Sequence, residues 1–445
     1  MLKKIGLSPG KKLLVFFIAA IALTLPLPYV YNSIAIILFV VYSMLAAKKE
    51  EIVLSPALLL PAALFVLMTL SLVWSIDSHS TIKALSREAS LLFIPLAFCL
   101  CRPLTAQSSR NVMNAYSLGM CGYAMFFLIR AVVRYINGGG SEVFFYHELA
   151  TGPINAIYLS ALISPALLWF LVKTKKTFWS YVMFVFMLLF LFLLSSKTII
   201  IINVLLIAAY FVFFSSLTVK AKLGSVLLFI LFVGVVGYTG KINDRIVHEF
   251  RPNIAKGTAE ENGPHNVTIF QAWTQPVFTQ NDYFNGTAFR VYQIRIFKEM
   301  LAEDAVFFTG YGLNASMKKI NAKGIEHGVY QTSEENVGYN KMNFHNQYIE
   351  SFADLGIFGL VLIILILAVN LKNALKNEDF VHIAFAILMI ALFLTESFLW
   401  RQRGIVFFTL FYCLFNWILP KGTEKEKYEK NTHNRGSRLS RVSPM

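Results

Sequence analysis

Residues 178–214 read FWSYVMFVFMLLFLFLLSSKTIIIINVLLIAAYFVFF, and Lys197 is the one charged side chain in the whole stretch. A bilayer core asks for about 20 apolar residues per spanning helix, so this run is too long for one crossing and suits two. The SSK tripeptide at 195–197 divides it. The reading is a span over 178–195 and another over 198–215, joined by almost no loop.

Working outward, the same pattern recurs along the chain. Of 445 residues, 56% are hydrophobic and 15% charged; the mean hydropathy is +0.60 and Phe alone fills 40 positions. That composition belongs to a polytopic membrane protein and excludes a soluble enzyme. The expected fold class is an all-α polytopic membrane protein of about twelve transmembrane helices, with a large, partly helical loop between spans 9 and 10. The remaining spans are read at 12–28, 31–47, 53–74, 86–101, 112–134, 152–172, 224–240, 347–370, 380–397 and 402–419. No small-residue cleavage pattern follows the first apolar run, so it is read as a retained span and not a signal peptide.

The formal charge of +15 invites a nucleic-acid reading, but its placement argues against one. Lys3, Lys4, Lys11 and Lys12 precede the first span, Lys48 and Lys49 follow the second, and Lys173, Lys175 and Lys176 follow the sixth. Lys220 and Lys222 follow the eighth, and Lys372 and Lys376 the tenth. By the positive-inside rule these connections and both termini are cytoplasmic, so the excess charge sets topology and no nucleic-acid partner is implied. The organisation expected is spans 1–9 in residues 1–240, an external loop domain at 241–346, spans 10–12 in 347–420, and a basic tail at 421–445 too polar to fold, which lies against membrane lipids. Cys99, Cys101, Cys121 and Cys413 all fall in or beside apolar runs, so no disulfide framework or thiolate metal site is expected in the loop.

The polar residues that break the pattern are the candidates for chemistry. Residues 343–360 read NFHNQYIESFADLGIFGL. Asn346 suits the N-cap of a helix running into the membrane. His345 then stands at the mouth of that span, where an imidazole can act as a base or merely satisfy a backbone group. Glu350 and Asp354 share a helix face and should look into the protein or an aqueous cleft. Upstream, AFRVYQIRIFKEMLA at 288–302 reads as an amphipathic helix with Phe289, Ile294, Phe297 and Leu301 inward. It carries Arg290 and Arg295, five positions apart and so on different stripes; one of them is expected to face a site formed with span 10. Arginine suits bidentate binding of phosphate, and an external phosphate beside a membrane is most simply lipid-linked. Lys197 is an external lysine against the inside bias, able to snorkel or to supply a second cation. In TGYGLNA, Gly310 and Gly312 make a tight turn that admits close backbone approach. Residues 321–344 read as irregular. No DxD-like pair, clustered histidines, Walker loop or serine elbow appears in the loop, so neither metal nor cofactor is expected.

The order of SSK, a long external loop, an Arg-bearing helix followed by GYG, and HNQYIESFADLGIFGL resembles the O-antigen ligase and O-antigen polymerase superfamily. The resemblance implies about twelve spans with a periplasmic loop between the ninth and tenth, in the bacterial inner membrane. It implies a metal-independent, inverting glycosyltransferase that moves glycan from undecaprenyl pyrophosphate to an acceptor. His345 matches the histidine thought to activate the acceptor hydroxyl, and Arg290 best matches the arginine proposed to bind pyrophosphate, with Arg295 in reserve. Lys197 stands where many members have a second arginine; it keeps the charge and loses the bidentate fork. A ligase whose acceptor is the lipid A core is the expectation; a polymerase or a protein O-glycosyltransferase shares the motifs. A polysaccharide or lipid transporter is the rival of another class, and titratable groups gathered at external span ends, not mid-membrane, favour the enzyme.

Overall fold

The computed structural model describes residues 11–49, 52–150, 152, 154–173, 176–215, 217–239, 265–332 and 337–418. The expected basic tail and the part of the loop at 241–264 lie outside the described residues.

The chain is mostly helical. In order, its helices are α1 (Lys11–Thr24), α2 (Tyr29–Ala46), α3 (Pro56–Leu70), α4 (Ser78–Glu88), α5 (Ser90–Cys99), α6 (Ala106–Ile136), α7 (Tyr146–Leu149), α8 (Ala156–Val172), α9 (Phe178–Leu193), α10 (Lys197–Ala209) and α11 (Val219–Thr239). The loop domain supplies α12 (Ile269–Thr274), α13 (Gly286–Glu303) and α14 (Ser316–Glu326), and the chain closes with α15 (Gln347–Asn377), α16 (Phe380–Phe393) and α17 (Gln402–Asn416). Two short strands, β1 (His265–Val267) and β2 (Asp282–Phe284), pair in parallel with His265 opposite Asp282. Among the described residues, five helical stretches are long and apolar enough to cross a membrane: Tyr29–Ala46, Pro56–Val73, Ala106–Ile136, Lys197–Phe214 and Gln347–Asn377. Their outward residues are apolar too, as at Ile37, Phe126, Leu205 and Val361, which is the surface that lipid requires.

Helix starts follow the capping side chains in the sequence. Thr105, Asn155, Asn285, Asn346 and Asp379 each accept a hydrogen bond from an N–H in the first turn of the helix they precede, and Thr177 forms a reciprocal capping box with Ser180. Two readings of the sequence are corrected. The expected span 86–101 is the ten-residue helix α5, preceded by the separate, polar α4; Arg87 and Glu88 end α4 where the apolar run was taken to begin. Residues 321–344 are not all irregular, because α14 runs through Glu326 with Ile320 buried beneath it.

The connections gather at two opposite ends of the bundle. At one end Val53 N–H bonds Cys99 O, Leu104 N–H bonds Trp417 O, and Asn370, His382 and Asn416 share a network. At the other, the segment between α3 and α4 meets the loop domain: Trp74 Nε1 donates to Thr309 O at 2.8 Å and Ile76 N–H to Tyr311 O at 3.0 Å.

The loop domain has its own apolar core, including Phe278, Phe284, Tyr292, Phe297, Tyr311 and Phe344, and this core runs on into Ala353 of α15. Helix α13 turns Phe289, Tyr292, Ile296, Phe297 and Met300 inward. Ile294, assigned to that face by spacing, is 40% exposed. Phe289 and Phe297 of the face read are buried, and Tyr292 and Ile296 complete it in place of Ile294, because aromatic partners on β2 and at Tyr339 lie on that side.

The domain is fastened to α15 through a break in that helix. Gly356 sits at φ 66°, ψ −166°, outside helical space. Ile357 N–H, which in a regular helix would bond Ala353 O, donates to Phe307 O instead; Ala353 O and Asp354 O accept from Tyr311 N–H and Gly312 N–H, each at 2.8 Å. A Cβ on Gly356 would collide with Phe308 O, and one on Gly310 with the Asp354 backbone, and both glycines have positive φ. Gly356→Ala should therefore lower stability by at least about 1–3 kcal/mol, read as a fall in the thermal midpoint of the detergent-solubilised protein. Gly122→Ala, in a helix with nothing near the added methyl, should hold or raise the midpoint, since alanine is the better helix former.

Candidate functional site

The head of α15, the N-terminal half of α13 and the connection between α16 and α17 converge on Glu396. His345 Nδ1 lies 3.3 Å from Glu396 Oε2, and Arg290 Nη2 lies 3.1 Å from Glu396 Oε1. One carboxylate, its side chain 12% exposed, thus joins the imidazole to the guanidinium, while both of those remain about a third open to the outside at 32% and 31%. His345 has φ 48°, a left-handed conformation held by Asn343 Oδ1, which accepts its N–H, and by the ring of Phe289 packed edge-on at 5.5 Å.

Arg290 is fixed by more than the ion pair. Its Nε donates to Thr395 O at 2.8 Å and its Nη1 to Gly286 O at 2.9 Å. A guanidinium has five N–H donors, so one remains on each Nη, pointing away from these partners.

The carboxylates left unassigned by sequence act as fasteners. Glu350 Oε2 accepts from Phe344 N–H at 3.2 Å and from Ser397 Oγ at 2.8 Å, linking the residue before His345 to the residue after Glu396. Asn346 N–H donates to the same Ser397 Oγ, its Nδ2 to Leu394 O, and Leu399 N–H donates to Gln347 Oε1. Asn346 therefore caps α15 and also ties it to the 394–399 connection. Asp354 accepts from Asn314 N–H at 2.7 Å and Ser316 Oγ at 2.5 Å, which fixes the chain just after Gly312. A small cleft between α4 and α15, lined by Arg87, Glu88, Glu350 and Asp354 and by apolar residues such as Met68 and Leu355, lies behind these residues.

The sequence-derived candidates are distributed as follows. His345 and Arg290 share Glu396. Arg295 is elsewhere: its Nε donates to Glu299 and its Nη1 to Gln275 O at 2.6 Å, inside the loop domain. Nearby, Lys319 beside Asp304 holds that carboxyl below its ordinary range, another loop-internal pair. Gly310 and Gly312 lie against α15 and Ser75, at the fastening and not at the cluster. Lys197 begins α10, half-buried. Tyr210 and Phe214 beyond the other end of α10 pack on Phe380, the first residue of α16, so the two helices run antiparallel. Lys197 therefore stands at the end of the bundle where α16 delivers Thr395 and Glu396.

Reading the sequence missed Glu396 and Arg401. The signal was present: TESFLWRQRG at 395–404 places two arginines and an acid at the head of a span that the charge pattern reads as external, against the same inside bias as Lys197. Arg401 stacks over Tyr158 at 5.7 Å, and Tyr158 stacks on Phe398, so this cation is at the same mouth. Among the described residues no group of three or more His, Cys, Asp or Glu is arranged to hold a metal.

Residues 182–364 match the sequence model of the family described as O-Antigen ligase. That segment, about two fifths of the chain, is similar to the O-antigen ligase family. The apolar helices together with this similarity mark the chain as a membrane protein. No protein of curated function matches the chain by sequence. His345, Arg290, Arg295 and Lys197 fall inside the matched segment; Glu396 falls beyond it.

Asp354→Ala removes both acceptors that hold residues 314–316, at about 1–3 kcal/mol for each donor left unsatisfied. Amide hydrogen exchange at Asn314 should speed up accordingly, and exchange in α6 should not.

Proposed function

We propose that the chain is an O-antigen ligase, moving a glycan from undecaprenyl pyrophosphate to the lipid A core oligosaccharide on the periplasmic face of the inner membrane. The observation that carries this reading is the triad of His345, Glu396 and Arg290 at one mouth of the bundle, within and beside the family-matched segment. The twelve-span topology, with both termini cytoplasmic and the loop periplasmic, belongs to the same proposal.

The chemistry asks for a hydroxyl made nucleophilic and a pyrophosphate made a stable leaving group. With Nδ1–H held toward Glu396, His345 offers Nε2 to the acceptor hydroxyl. The hydroxyl proton goes to Nε2, the oxygen forms a bond to the anomeric carbon, and the bond from that carbon to the pyrophosphate oxygen breaks, inverting the centre. The two outward N–H groups of Arg290 form a fork suited to one phosphate. Lys197 and Arg401 add positive charge at the same end, and developing charge on the leaving group is met by cations already in place. Metal independence is part of the proposal and rests on these cations being sufficient.

His345→Ala should reduce transfer by about 10²–10⁴-fold in a reconstituted assay, the range for general-base help; near-full transfer would end the assignment. Glu396→Gln preserves shape and removes the charge that orients His345 and Arg290, so a loss of about tenfold or more is expected, short of that for His345→Ala. Arg290→Ala should raise the donor concentration needed for half-maximal rate, while Arg295→Ala should leave that concentration unchanged and lower the thermal midpoint. Deletion in the native host, read on gels of lipopolysaccharide, tests the acceptor. Loss of all capped chains with build-up of lipid-linked polymer supports the ligase; cores bearing one repeat would mean a polymerase.

A further inference from the structure

The tip of the loop domain at Val306–Thr309 carries two adjacent, outward aromatic residues, Phe307 and Phe308, 48% and 64% exposed. Its height in the membrane can be read from α15. The helix is free of charged residues from Leu355 to Leu371, between Asp354 and Lys372, about 25 Å at 1.5 Å per residue, close to the thickness of a hydrocarbon core. The outer edge of that core then lies near Asp354. Phe307 O accepts from Ile357 N–H at 2.9 Å, and Phe308 O lies against Gly356, so the tip is level with the first turn inside the edge.

An irregular segment at that depth needs partners for its backbone groups: Phe307 O takes the freed Ile357 N–H of α15, Val306 O accepts from Gly310 N–H, and Thr309 O accepts from Trp74 Nε1. What the tip turns outward is aromatic: Phe307 packs against Phe308 and Phe352 at 5.1 and 5.4 Å, and the neighbouring surface of α15 presents Phe358 and Val361, 57% and 52% exposed. The surface is continuous with a span's lipid-facing side.

We infer that Val306–Thr309 is a re-entrant tip whose Phe307 and Phe308 insert among the acyl chains of the outer leaflet. The occupant is bilayer lipid. The insertion fixes the loop domain at a set depth, and with it the height of Arg290 and His345 above the headgroup plane. The inference does not depend on the reaction the protein catalyses.

The test uses the full chain in nanodiscs of phosphatidylethanolamine and phosphatidylglycerol, with Phe308→Cys carrying a nitroxide and collision measured against oxygen and a water-soluble nickel chelate. Ile364→Cys, on the lipid-facing side of α15, supplies the lipid reference and Lys298→Cys the aqueous one. The four native cysteines are buried, and unsubstituted protein controls for their labelling. A label at 308 that meets oxygen well above the nickel chelate, as at 364, supports the inference. Free collision with the chelate, as at 298, overturns it, and so does protection from both reagents, which would mean that protein covers the tip. Should Phe308→Cys fail to fold, Phe307→Cys makes the same measurement.

Discussion

The exchange of backbone hydrogen bonds at Gly356 is the constraint on which the rest of the structure depends. A helix in a membrane normally satisfies its own peptide groups, because no water is there to do so. Here two carbonyls and one N–H leave that ladder and pair with Phe307, Tyr311 and Gly312. Each supplies what the other lacks: two N–H groups of the loop fill the carbonyls freed by the break, and Phe307 O takes the freed N–H. Their union pins a domain of the loop onto the one span that carries His345 at its head. The segment between α3 and α4 is drawn in as well, since Ile76 N–H bonds Tyr311 O and Thr81 Oγ1 bonds Leu313 O at 2.8 Å.

Buried carboxylates are costly unless hydrogen-bonded, and the two on α15 earn their place by what they hold together. Asp354 uses both oxygens on Asn314 and Ser316, which follow the glycine turn. Glu350 uses one oxygen to bind the backbone before His345 and the serine after Glu396. The imidazole and its carboxylate come from segments 51 residues apart, counting His345 to Glu396. Their spacing is set by this shared acceptor together with the Asn346 and Gln347 bonds to the same connection. Each such bond is worth about 0.5–1.5 kcal/mol net, and leaving one unmade in a buried place costs more than that, so the set is cooperative.

How much of this was legible depends on which physics decides each feature. The apolar runs and the N-caps are local, and Asn346 could be read as a cap before any coordinates. The separation of Arg290 from Arg295 followed from helical geometry alone. The face of α13 did not, because Ile294 and Tyr292 are equally apolar by pattern and the choice is made by rings on other elements. Gly356 in ADLGIFGL reads as a glycine tolerated in a helix; that it breaks the helix is decided by a turn more than forty residues upstream. Glu396 was overlooked because it lies between two spans in a short connection, where an acid looks like ordinary interfacial polarity. Only the fold brings it to His345.

Glu396 also bears on how a cationic mouth can wait for an anionic substrate. Arg290, Lys197 and Arg401 at one end of an apolar bundle would repel one another and leave a guanidinium without direction. Glu396 offsets part of that charge and orients Arg290 with the help of two carbonyls, Thr395 O and Gly286 O. Because these three bonds leave one N–H on each Nη, an anion can pair with Arg290 without displacing the carboxylate, and such a pairing leaves the contact between His345 and Glu396 in place.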